Sequence, residues 1–199
     1  MQRFVLIGLL LIALLGGVNW WRHRALVHAP GVLATDAPLQ TDLDDGTGVR
    51  LGDFTLVERA RFELTARVLS REDYHFDAGS KLAPIDLALG WGRMSDSDVL
   101  SQIKISQENR FYHWHVDHFP IPRREIEQSS ANMHMIPADD TARRELERVR
   151  PGEVIHLEGY LVDATRPDGW RWRTSMTRDD TGDGACELVY VQSVEAATP

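Results

Sequence analysis

The side chains most able to do chemistry lie in Phe111-Tyr112-His113-Trp114-His115-Val116-Asp117-His118. On a strand, successive side chains alternate faces, so His113, His115 and Asp117 share one face and His118 takes the other. Two imidazoles at i and i+2 can chelate zinc or copper, with Asp117, His134 or His75 as further ligands. The competing reading is a half-exposed strand whose Tyr112, Trp114 and Val116 face the core, and it is favoured because no second run with metal spacing accompanies the first. Asp179-Asp180-Thr181-Gly182-Asp183-Gly184 matches the first half of a calcium loop, but Tyr190 stands at the twelfth position, where a bidentate carboxylate is needed. Cys186 with His134 offers a nucleophile and a base, although a lone cysteine opening an apolar strand is usually a small buried hydrophobe. No GxSxG, HExxH, P-loop or dinucleotide fingerprint occurs.

A second locus is the loop around Gly90-Trp91-Gly92, where flanking glycines let the backbone turn sharply and present the indole either to a groove or to the core. A ligand groove, if the protein has one, is expected here and at Asn132-Met133-His134, with Asp86, Trp91, Asn132 and His134 as its residues. Arg166, Arg171, Arg173 and Arg178 cluster with Trp170 and Trp172, a mixture that can bind anionic polymers. The tryptophans alternate with Arg171 and Arg173, which suits core packing better. Residues 25–199 carry 19 Arg or Lys against 30 Asp or Glu, so nucleic acid is disfavoured as a partner. The single cysteine excludes an internal disulfide framework and a Cys-rich zinc module, and no cofactor is required by the pattern.

The elements that must position these groups follow from periodicity. Residues 4–21 form an apolar run of about 18 residues, roughly 27 Å as a helix, ended by paired tryptophans and Arg22-His23-Arg24. A membrane anchor over 1–24 is expected rather than a cleaved signal, with the remainder on the periplasmic side of a bacterial inner membrane. Residues 25–52, rich in Gly, Pro and Asp, read as a flexible acidic linker. From 53 to 195 the pattern is an α+β domain, mainly antiparallel and built on a small barrel or a strongly bent sheet, with an OB-like barrel as first choice. Phe62, Leu64, Ala66 and Val68 alternate with polar residues, as do Trp170, Trp172, Thr174 and Met176. Ile155, Leu157 and Leu161 share one parity, with a bulge or bend expected at Gly159, and Cys186 to Val194 reads as a central strand. Pro167-Asp168-Gly169 is a hairpin turn. Short helices are expected after Ser95, capped with Asp98, within Pro122 to Gln128, and from Asp139 or Asp140 until Pro151-Gly152.

The stretches PIDLALGWG from Pro84, SANMHMIPA from Ser130 and TRDDTGDGACE from Thr177 resemble an uncharacterised bacterial family of membrane-anchored proteins. The resemblance covers most of residues 60–195, implies an envelope location, and transfers no activity. The expected function is a membrane-anchored, extracytoplasmic binding or accessory module rather than an enzyme. The alternative is a metal-dependent enzyme or hydrolase using His113, His115 and His134.

Overall fold

The computed structural model describes residues 16–17, 24–178, 180, 182 and 184–197. The anchor expected over residues 4–21 therefore lies outside the described residues, apart from Gly16 and Gly17. Among the described residues, no helix is long and apolar enough to cross a membrane.

The strands are β1 (Leu39–Asp42), β2 (Gly48–Leu51), β3 (Phe54–Asp73), β4 (Ile85–Gly90), β5 (Lys104–Glu108), β6 (Phe111–His115), β7 (Ser130–Pro137), β8 (Val154–Thr165), β9 (Arg171–Trp172) and β10 (Glu187–Ala196). The helices are short: a 3-10 turn at Gly92–Ser95, α1 (Ser97–Leu100), α2 (Arg123–Gln128) and α3 (Asp140–Leu146). The expected α+β class with a mainly antiparallel sheet is met, β7 with β10 being the one parallel pairing among the described strands.

Strand pairing runs β3-β4-β7-β10-β8, and β8 pairs on its other side with β3, so the path returns to its start. β3 can serve both ends because it is 20 residues long, with its first part against β8 and its last part against β4. The period of two expected at Phe62, Leu64, Ala66 and Val68 turns these side chains into one cluster with Leu87, Leu89, Met133, Met135, Ile155, Leu157, Leu161, Val189 and Val191. Each large apolar side chain so buried contributes about 1.5–3 kcal/mol. The irregularity expected at Gly159 falls on its partner strand, where register shifts between Val191 and Ser193 opposite Gly159 and Glu158.

Three local expectations are corrected. The flexible linker is largely tied down. β1 and β2 pair with β3, Leu26 N–H donates to Pro151 O at 2.8 Å, and Ala34 is buried. Ser95 does not cap a helix; its Oγ accepts from Leu33 and Ala34 N–H, while Asp96 caps α1 by accepting from Asp98 N–H. The strand expected through Met176 is only two residues long. Beyond Trp172 the chain is held instead by Thr174 and Ser175, whose buried hydroxyls bond within their own loop and to Leu188 N–H. The turn at Pro167-Asp168-Gly169 is as expected, with Gly169 at φ +92°. So are α2 and α3, the latter capped by Asp139 accepting from Thr141 and Ala142 N–H.

Candidate functional site

A β-ring has an inner and an outer face, and the polar residues of interest occupy the outer one. On β4 and β7, Asp86 lies directly opposite His134, and Ala88 opposite Asn132, in antiparallel register. Alternation therefore sends Asp86, Asn132 and His134 outward while Leu87, Met133 and Met135 fill the centre. The outer face would leave these groups wet, but hairpin β5–β6 and Trp172 of β9 lie over it, and Asp86 and His134 become fully buried.

Arg110 fastens that cover. It stands in the two-residue turn between β5 and β6, where Asn109 and Arg110 both adopt the left-handed conformation, at φ 51° and 72°. Its guanidinium donates to Asp86 Oδ1 at 2.7 Å, to Ala83 O at 2.9 Å, and through Nε and Nη2 to both oxygens of Asp77. It lies 3.6 Å above the Tyr74 ring, and its own N–H donates to Tyr74 Oη. Its carbonyl receives Asn132 Nδ2 at 3.1 Å. The two aspartates offset the burial of the guanidinium and hold its pKa above the ordinary value. His134 Nδ1 lies 2.9 Å from Asp86 Oδ1 but off the line of a well-formed hydrogen bond, and Asp86 Oδ2 has no partner among the described residues.

Trp172 roofs this array, 4.5 Å from the His134 ring centroid, and occupies the space that a side chain on Gly79 would need. It packs against the cluster of Phe54, Leu56, Leu82, Ile136 and Leu188, whereas Ile155, Leu157 and Leu161 belong to the inner cluster. The fate of the tryptophan on truncation is thereby set. Trp172→Ala is expected to lower stability by about 3 kcal/mol, the low end for a large aromatic because it is only half-buried, against about 0.5 kcal/mol for exposed Arg173→Ala. Thermal melts of the pair check this, and equal melting temperatures would refute a scaffold role for Trp172.

Beside the array lies a groove of about 530 Å³. Phe111, Trp114 and Phe119 give it an apolar wall, and Asn132, Arg178 and Glu187 give it polar ends. Glu187 is 1% exposed and pairs through Oε1 with Arg178 at 2.7 Å, leaving Oε2 and Arg178 Nη2 without partners among the described residues. Burial pushes the Glu187 carboxyl up to about 8, against the pull of Arg178, so it is largely protonated at neutral pH.

Of the four residues expected to form a groove, Asp86, Asn132 and His134 come together, but only Asn132 lines the cavity. Trp91 is buried in the inner cluster, its backbone N–H donating to Ser129 O. His113 and His115 project from the exposed face of β6 as expected. β6 ends at His115, however, and Asp117 sits 3.5 Å from His115 and 3.9 Å from Lys104, so His113, His115 and Asp117 do not converge on one metal position. Cys186 is no nucleophile paired with His134. Burial pushes its thiol up to about 12, and it faces Asn132 and Arg110 O at 3.8 Å. Asp179, Thr181 and Asp183, which carry the calcium-loop pattern, lie outside the described residues. The basic cluster disperses: Arg166 pairs with Asp168 and Arg178 with Glu187, while Arg171 and Arg173 are exposed.

Arg110, Asp77 and Glu187 were not expected at the site. Glu187 had a readable signal, a carboxylate in a run apolar on both parities, which must be neutralised or paired when buried. Comparison with protein-family models, curated proteins and solved structures finds no match to this chain.

Proposed function

We propose that this protein is a membrane-anchored, extracytoplasmic binding module, with residues 4–21 in a bacterial inner membrane and a small OB-like barrel as its scaffold. The strand order β3-β4-β7-β10-β8 with β7 parallel to β10, and α3 between β7 and β8, the third and fourth of these five strands along the chain, supports the barrel reading. The observation that carries binding is the groove, because it combines an aromatic wall with buried, unpartnered polar atoms of Glu187 and Arg178. Ligand cavities have this composition, an apolar lining with a few convergent polar groups. A protonated carboxyl beside a guanidinium with a free N–H favours a ligand with an apolar or aromatic body and an acceptor or anionic end.

The test uses 1-anilinonaphthalene-8-sulfonate, an aromatic body with one anionic group. Saturable binding of one dye per chain is expected, weakened about tenfold by Arg178→Gln, which loses a charge-assisted bond worth about 1.5 kcal/mol. Glu187 binds its proton below about 8, so dye affinity is present at neutral pH and falls as pH rises through about 8, when the new carboxylate repels the anion. Glu187→Gln should bind the dye with no such fall. Absence of saturable binding, or a pH profile unchanged in Glu187→Gln, would overturn the groove.

A further inference from the structure

We propose that Glu63, His156 and Glu158 form a divalent metal site, zinc by chemistry, on the outer face of the β3–β8 pair. These three residues each offer a ligand atom, and the atoms lie within 4.8 Å of one another. No other group of three metal-ligating side chains comes this close among the described residues. The arrangement is dictated by register, since Glu63 stands directly opposite Glu158, and Thr65 directly opposite His156. Two like charges placed opposite each other across an antiparallel pair are destabilising unless something positive lies between them. Here the imidazole points into that space. His156 Nε2 is 3.3 Å from Glu158 Oε1 and 3.8 Å from Glu63 Oε1.

The distances also suit a metal. Ligands at about 2.0–2.1 Å from a tetrahedral zinc are separated by about 3.4 Å, close to both imidazole-to-carboxylate distances. His156 Nδ1 lies 3.0 Å from Thr65 Oγ1. In the tautomer whose Nδ1–H donates to that hydroxyl, Nε2 presents a lone pair toward the two carboxylates. Metal-binding histidines are commonly fixed this way, by a hydrogen bond at the nitrogen that does not bind. One imidazole and two carboxylates suit zinc, whereas calcium and magnesium take six or more oxygens. All three ligands sit on strands of the closed path, so the site is held by paired backbone. Three protein ligands leave a fourth position open to water or to a ligand donor. Glu195, opposite His156 on β10, adds a further carboxylate to the same strand face.

The experiment is titration of the full-length chain, in detergent and stripped by chelator, with zinc chloride by calorimetry. One zinc per chain is expected, with affinity at least tenfold lower in His156→Ala and in Glu158→Gln. Thr65→Val should weaken binding about ten- to a hundredfold without removing a ligand, an effect that a chance surface contact would not show. Thermal melts without zinc guard against misfolding, and Glu158→Gln keeps the shape of the side chain it replaces. His113→Ala and His115→Ala should leave the affinity unchanged. No saturable zinc, affinity indifferent to His156→Ala and Glu158→Gln, or zinc lost with His113 or His115, would overturn the site. The last result would favour the metal-enzyme alternative instead.

Discussion

Replacing Arg110 with alanine is expected to lower stability by about 3–5 kcal/mol, read as a shift in the midpoint of urea denaturation. The magnitude follows from what remains. Asp86 is fully buried and would lose the guanidinium that faces it, and Asp77 would lose both bonds of its fork. Arg110→Lys should recover little, because an ammonium cannot make the planar fork to Asp77 while also reaching Asp86 and Ala83 O. The diagnostic variant is Arg110→Ala with Asp86→Asn. Removing the stranded carboxyl should return part of the lost stability, so the double variant should be more stable than Arg110→Ala alone. A loss under about 1 kcal/mol for Arg110→Ala would show that the hairpin is held by its apolar underside and not by this network.

The second large effect is expected at Gly159, on the strand flanked by both β3 and β10. A Cβ there would stand 2.1 Å from Tyr190 O and 3.0 Å from Tyr190 C, both backbone atoms of the paired strand. No rotamer change can relieve such a contact, so β8 and β10 must separate where the register already shifts. Gly159→Ala should therefore cost about 3 kcal/mol or more, the upper end for overpacking. Gly48→Ala is the matched control, since its Cβ would meet only Leu56 O at 4.0 Å. Equal stability of the two variants would mean that the strands part without penalty.

The regular parts of the fold were legible because they rest on local spacing. Phe62 to Val68 alternate visibly, and Asp139 followed by an apolar stripe and Pro151-Gly152 marks both ends of α3. β1 and β2 were not legible. They are four residues each and mostly exposed, so they carry little apolar period and their composition reads as linker. Asp86 and His134 were named for their place near the glycine-flanked turn and in Asn132-Met133-His134, which did not say that each faces the other. Arg110 gave no sign at all. Its partners Asp77 and Asp86 lie 33 and 24 residues away, and only the docking of the hairpin brings them within reach. Trp170 and Trp172 pack against a core cluster, but the alternating strand expected through Met176 stops at Trp172. That error came from extending one alternating run through residues that Thr174 and Ser175 bend into a loop.

The closure of β3 onto β8 also fixes the order in which the chain can mature. Thr55 and Thr165 meet across 110 residues of sequence, so the earliest long strand leaves the ribosome well before its partner is made. Until then β3 can pair only with β1, β2 and β4, and one long edge stays open. Folding is thus a late, long-range event, on the millisecond-to-second scale of about 10⁻³–1 s typical of topologies rich in distant contacts. Nascent chains stopped before β8 should remain protease-sensitive along β3, and a full-length chain should acquire protection there in a single step.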